Sequence, residues 1–178
     1  MKKLKKYIHV YTGDGKGKTT AAWGLALRAV GANKKVAIVQ FMKRANYSEH
    51  KAIKKYRLPI LIESFGIGYY KILGDKKPKS THKKAAQKAL KRAKEIIVQG
   101  KHEVIILDEI NVAIGFGLID INEVLSIFPA DNSQNIEIIL TGRKAHQRLK
   151  RTADLVTDMK KVKHYFDKGV KARKGIEY

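Results

Sequence analysis

The chain has 178 residues and no cysteine, and its 38 Lys plus Arg against 16 Asp plus Glu give a formal charge of +22. That length suits one α/β domain over 1–178 with a sizeable core. The missing cysteines exclude disulfides and thiolate metal sites and fit a cytoplasmic protein, and no run reaches the roughly 18 apolar residues of a membrane span. The opening Met1-Lys2-Lys3-Leu4-Lys5-Lys6 has no apolar segment long enough for a secretory leader. The charge attracts polyanions. Its lysines are nevertheless spread over the whole chain, and neither a helix-turn-helix nor an RNA-binding signature is present. A lysine-rich surface of a biased or thermophilic proteome is therefore the simpler explanation, and nucleic acid is not the expected partner.

In chain order, Tyr7-Ile8-His9-Val10-Tyr11 is a run of β-forming residues that leads into Thr12-Gly13-Asp14-Gly15-Lys16-Gly17-Lys18-Thr19-Thr20. The end of this loop has the Gly-Lys-Thr of a Walker A motif, but threonine stands at position 12 where the pattern has glycine. The physical logic survives: glycines let successive N–H groups converge on an anion, and the next helix adds partial positive charge. Ala22, Leu25, Ala26 and Ala29 fall at helical spacing over 19–30, with Gly31 as the expected stop. Residues 36–41 and 58–65 are the second and third strands. The stretch 75–84 is expected to be a solvated loop leading into an amphipathic helix over 80–99. Residues 104–109 and 136–141 are the fourth and fifth strands, and a sixth begins at Leu155-Val156-Thr157.

Apolar strands alternating with helices predict a doubly wound, mainly parallel sheet covered on both faces, a P-loop NTPase-like (RecA-like) α/β domain. Ligands in such sheets sit beyond the carboxyl ends of the strands. Four apolar residues ending in Asp108-Glu109 have the look of a Walker B strand, so Thr19 and one of these carboxylates could share Mg²⁺. In a hydrolytic ATPase the second acid is a candidate base. Arg143, after the fifth strand, could neutralise a triphosphate. The six histidines lack metal-ligand spacing. His9 is expected to be structural, His82 sits in the lysine run, His146 lies beside arginines, and His164 is the one worth testing.

The run 10–22, with Gly24 to Gly31 including Arg28, Val39-Gln40-Phe41-Met42-Lys43, Leu107-Asp108-Glu109-Ile110-Asn111, Leu140-Thr141-Gly142-Arg143 and the block from Ala153 to Tyr178, resembles the P-loop corrinoid adenosyltransferases over nearly the whole chain. The C-terminal block has no generic P-loop counterpart, so it is the most specific part of the match. The resemblance implies that a cob(I) corrinoid attacks C5′ of ATP and inorganic triphosphate leaves, with ATP reversed relative to ordinary P-loop enzymes. It implies Mg²⁺ or Mn²⁺, a flavodoxin-like or other electron donor, and a homodimer. Carried over, Gly13, Asp14, Gly15, Lys16, Gly17, Lys18, Thr19 and Thr20 would bind the nucleotide. Lys18, Thr19 and Glu109 would serve the reaction. Thr19, Asp108 and Glu109 would serve the metal, with Asp108 in a supporting place, and Arg28, Gln40 and Arg143 would lie near the nucleotide. Where the family has a Gly-x-Gly-Phe-x-Trp stretch, this chain reads Gly66-Ile67-Gly68-Tyr69-Tyr70-Lys71, so Tyr69 and Tyr70 become the expected corrinoid-side aromatics. Two other functions stay open at this point: a nucleic-acid-stimulated ATPase and a non-catalytic corrinoid or nucleotide carrier.

Overall fold

The computed structural model describes residues 5–45, 47–68, 70–71, 75–129 and 135–178. Six strands form one sheet: β1 (Lys6–Thr12), β2 (Val36–Gln40), β3 (Ile60–Ser64), β4 (Val104–Asp108), β5 (Ile136–Thr141) and β6 (Leu155–Asp158). Their spatial order is β3-β2-β4-β5-β1-β6, and every pairing is parallel. The register sets Val10 opposite Leu140 and Val156, and Gln40 opposite both Asp108 and Ser64. All strands therefore release their loops on one rim.

Because side chains alternate along a strand, the sheet feeds two cores. Val10, Val39, Ile105, Leu107, Ile138 and Leu140 pack on one face against α3 (Lys79–Gln99), α4 (Ile110–Gly115), α5 (Ile121–Ser126) and α6 (Gln147–Thr152). On the other face Ile38, Val104, Ile106 and Ile139 pack against Ala22, Ala26 and Ala29 of α1 (Lys18–Gly31) and Ile53 of α2 (Ser48–Tyr56). The alanines of α1 let that helix approach the strands closely, which brings its N-terminus to the rim. Burial on both faces explains why β2 and β4 read as unbroken apolar runs. By contrast, β6 is an edge strand and all four of its residues are exposed.

Three expectations change. Gly31 is the last residue of α1 instead of its stop, and the left-handed turn falls on Asn33 (φ 59°). The helix after Pro78 starts at Lys79, so much of the expected solvated loop is helical. His82, placed by sequence among solvated lysines, is 3% exposed: it lies one helical face away from them, its Nε2 2.8 Å from Asp75 Oδ2 and its ring 5.1 Å from that of Tyr70. The short helices α2, α4, α5 and α6 are not among the elements expected from the sequence. Asp120 starts α5 through a capping box with Glu123.

Candidate functional site

The glycine loop lies between β1 and α1 and is braced from behind by the exit of β6. Thr12 ends β1, its carbonyl accepting from Met159 N–H at 2.9 Å, and Gly15 N–H donates to Met159 O at 2.7 Å. A Cβ on Gly13 (φ +96°) would lie 2.3 Å from Asp158 Oδ1 and 2.5 Å from Met159 O. Here glycine is needed both for the backbone angle and for the space. Thr12 needs neither, since it is the extended last residue of the strand. Its buried hydroxyl accepts from Ala145 N–H at 3.0 Å and so ties the loop to the segment after β5.

Lys18 folds back over the loop, its Nζ donating to Gly13 O at 2.7 Å and Gly15 O at 2.6 Å. Burial, reinforced by the Arg143 charge, pushes its pKa down against the pull of Glu109, Asp14 and Asp158. Lys16 turns outward to the C-terminal segment, donating to Glu177 Oε1 and Tyr165 Oη at 2.7 Å each and to Ile176 O at 3.1 Å. Tyr165 also bonds Glu177, and Arg173 N–H donates to Glu177 Oε2 at 2.6 Å. Those donors, the Lys16 ammonium first, hold the Glu177 carboxyl far below the usual range.

Beneath the loop, Asp108 is fully buried at the end of β4. Oδ1 accepts from Thr19 Oγ1 (3.0 Å) and Thr141 Oγ1 (2.7 Å), and Oδ2 accepts from Lys43 Nζ (2.8 Å) and Gln40 Nε2 (3.1 Å). Burial by itself would raise this carboxyl, but the Lys43 ammonium and the hydroxyls outweigh it and keep the pKa low. Gln40 in turn accepts from Ser64 Oγ at 2.7 Å, and Ser64 meets His50 Nε2 at 2.8 Å. Glu109 has φ 64°, left-handed backbone that is costly for a residue with a Cβ. Its N–H is fixed on Thr141 Oγ1 at 2.9 Å, and burial followed by the Asp108 charge pushes its carboxyl up to about 7, with Lys43, Lys18 and Arg143 pulling the other way.

These groups open on a cleft of about 1100 Å³ whose walls include residues 14–20, Trp23, Lys43, Glu109, Phe116 and Arg143, and which the segment from His164 to Tyr178 closes on one side. Asp14, Gly15, Lys16, Gly17, Lys18, Thr19, Thr20, Glu109 and Arg143 thus come together around one space. Arg143 lies 3.8 Å from Asp14 and is largely exposed. His164 lines the space too, its Nδ1 accepting from Phe166 N–H at 3.1 Å.

Other expected residues are placed elsewhere. Gln40 is fully buried and holds Asp108 instead of reaching the cleft. Arg28 is exposed in the last turn of α1, nine residues beyond Thr19 and so about 14 Å along the helix, which takes it away from the loop. Tyr70 packs against His82 and, edge-on at 5.4 Å, against Phe116, so Phe116 presents the aromatic surface to the cleft. Tyr69 lies outside the described residues. Asp108 has both oxygens occupied and does not open on the cleft. The donors that could meet a hard divalent cation together with phosphate and water are the Thr19 hydroxyl and the Glu109 carboxylate, which fits Mg²⁺ chemistry. Among the described residues no three His, Asp or Glu side chains gather as a metal cluster.

Lys43 is the main residue that sequence reasoning missed. Its signal was a cation just past an all-apolar strand, on the same rim as Asp108. Glu177 and Tyr165 had no local signal, because they meet Lys16 across 161 and 149 positions.

The fold is similar to that of the flagellar accessory protein FlaH from Methanocaldococcus jannaschii, with TM-score 0.56 and 14% identity over 85% of this chain and 70% of that one. In sequence the chain is 36% identical to a corrinoid adenosyltransferase of Sinorhizobium sp, covering 98% of this chain and 81% of that protein. It is 33% identical to the corrinoid adenosyltransferase of Escherichia coli (strain K12), covering 96% and 85%. The model of the ATP:corrinoid adenosyltransferase BtuR/CobO/CobP family matches residues 4–178. With a phosphate loop, a buried rim aspartate and a closing C-terminal segment matched from end to end, the chain belongs to the ATP:corrinoid adenosyltransferase family.

Proposed function

We propose that the cleft between the glycine loop and the C-terminal segment holds ATP while its 5′-deoxyadenosyl group passes to the cobalt of a reduced corrinoid. The Co(I) electron pair forms the Co–C5′ bond, the C5′–O bond breaks, and triphosphate leaves with the electron pair of that broken bond. No protein nucleophile is needed. The chain's tasks are to hold the two reactants in line, to stabilise the leaving polyanion and to exclude water. The observation that carries this reading is the gathering of Lys18, Thr19 and Arg143 around a glycine cradle, in a family whose named members are corrinoid adenosyltransferases.

Thr19 and Glu109 are the residues that would hold Mg²⁺, or Mn²⁺, and a bound ion would supply charge neutralisation for the departing triphosphate. Asp108 acts from behind, by fixing Thr19. Phe116, with Tyr70 packed behind it, forms an apolar wall on the corrinoid side. The enzyme works as a homodimer and receives electrons from a flavodoxin-like or other donor, to which a surface of charge +22 is suited. Donor efficiency in a cob(II) reduction assay then falls as salt rises. With ATP, Mg²⁺ and chemically reduced corrinoid, the expected products are a light-sensitive adenosylcorrinoid and triphosphate. Orthophosphate or pyrophosphate with no cobalt–carbon bond would overturn the assignment.

A further inference from the structure

Lys43 is a charged group on the cleft floor to which the reaction above gives no role. It follows β2 by three residues and its backbone is clamped. A Cβ on Gly66 would lie 2.1 Å from the Met42 carbonyl carbon and 2.4 Å from Lys43 N, so the chain after β3 can back this segment only as glycine. The side chain is 8% exposed, with Nζ 2.8 Å from Asp108 Oδ2 and 3.1 Å from Thr19 Oγ1. An ammonium has three donors, so one is left after these two bonds, and the residue lines the same cleft as Lys18 and Thr19. Thr19, Thr141 and Gln40 already hydrogen-bond Asp108 through neutral groups. Burying a full cation beside them carries a desolvation cost that neutral packing would avoid. A lysine stem is ordinarily flexible, and here its far end is fixed before any ligand arrives, which removes much of the ordering cost of binding.

We infer that Lys43 is a further phosphate-binding cation of this cleft, fixed in place by Asp108, whose remaining N–H donates to an oxygen of the triphosphate chain. The inference deepens the function proposed above by naming an additional contact for the leaving group. Its test uses inorganic tripolyphosphate alone, in EDTA and without corrinoid, titrated calorimetrically into the full chain. Because Lys43→Met by itself leaves a buried carboxylate without its cation, the informative comparison is K43M/D108N against D108N. Both lack the carboxylate charge, and the two variants differ only in the cation. In D108N the new amide oxygen and the Thr19 hydroxyl still offer acceptors that hold Lys43. The double variant should bind tripolyphosphate about ten- to a hundredfold more weakly than D108N, the range of one charge-assisted hydrogen bond. Equal affinities, with both variants folded by circular dichroism, would overturn the inference, since a bracing role alone would change melting temperature and leave affinity untouched. Lys43-dependent tripolyphosphate binding in a protein that forms no cobalt–carbon bond would keep this inference and remove the assigned reaction.

Discussion

Replacing Asp108 by alanine removes the acceptor on which four donors converge. The threonine hydroxyls can rotate, and Gln40 loses only the acceptor of its neutral Nε2 donor while its Oε1 still accepts from Ser64. Lys43 has no such escape, since its ammonium is 8% exposed and its counter-charge is gone. Leaving one member of a buried ion pair unpaired costs about 3–5 kcal/mol. For a domain of this size each kcal/mol lowers the melting temperature by about 2–4 °C, so a fall of about 6–20 °C is expected. Thermal denaturation followed by far-UV circular dichroism and by emission of the single tryptophan measures it. The pH dependence adds a second signature. In the native protein the Asp108 carboxyl lies below its ordinary 3.8, so its contribution is present above that pH and lost as pH falls through the folded value. Lys43 lies above its ordinary 10.5, so its contribution is complete below that pH and lost as pH rises through the folded value. In D108A the unpaired, buried ammonium has its pKa pushed down instead, so stability should rise as pH climbs toward 10. The double variant D108A/K43M should be more stable than D108A. A loss under about 3 °C, or a double variant no better than the single, would refute this account of the cleft floor.

Gly66→Ala places a methyl group against backbone atoms of Met42 and Lys43 that cannot rotate away. It should cost about 1–3 kcal/mol and weaken ATP binding by displacing Lys43; thermal melting and nucleotide titration measure the two effects. Thr12→Gly restores the standard Walker residue but strands the Ala145 N–H in the interior, so chemical denaturation should show a loss of about 1–3 kcal/mol. Glu177 has a depressed pKa, so its hold on Lys16 is present above the ordinary carboxylate range and lost as pH falls through the folded value. Hydrogen-exchange protection factors over 165–178, corrected for the intrinsic rate at each pH, should fall in acid, and those of E177Q should be low already at neutral pH with a flatter profile. Finally, Trp23 borders the cleft, so its emission should change on adding ATP, and W23F should abolish the signal.

Much of the fold was legible in the chain because the strands are fully covered. Val104 to Leu107 and Ile136 to Leu140 are apolar at nearly every position, and a glycine loop followed by an alanine-rich helix has few other uses. α2 and α6 were harder to read, because they are short and few of their residues reach the core, the half-buried Ile53 in one and Leu149 in the other. The same contrast separates the site residues. Lys18, Thr19, Asp108 and Glu109 could be named from local spacing, since a phosphate cradle and a strand-end carboxylate are short-range motifs. Gln40, expected beside the nucleotide, faces Asp108 in the interior, and Arg28 lies in the last turn of α1 away from the glycine loop. Spacing does not reveal which way a strand residue faces or how far a helix carries its last turn. By itself, then, the sequence determined the parallel sheet, the anion cradle and the family. Only the tertiary structure decided that Thr12 fastens the loop to Ala145, that Lys43 neutralises Asp108, and that Glu177 takes Lys16 from the far end of the chain. Those are contacts between residues 65 to 161 positions apart. Nothing in a local pattern records such a distance; the order in which the strands lie in the sheet creates it.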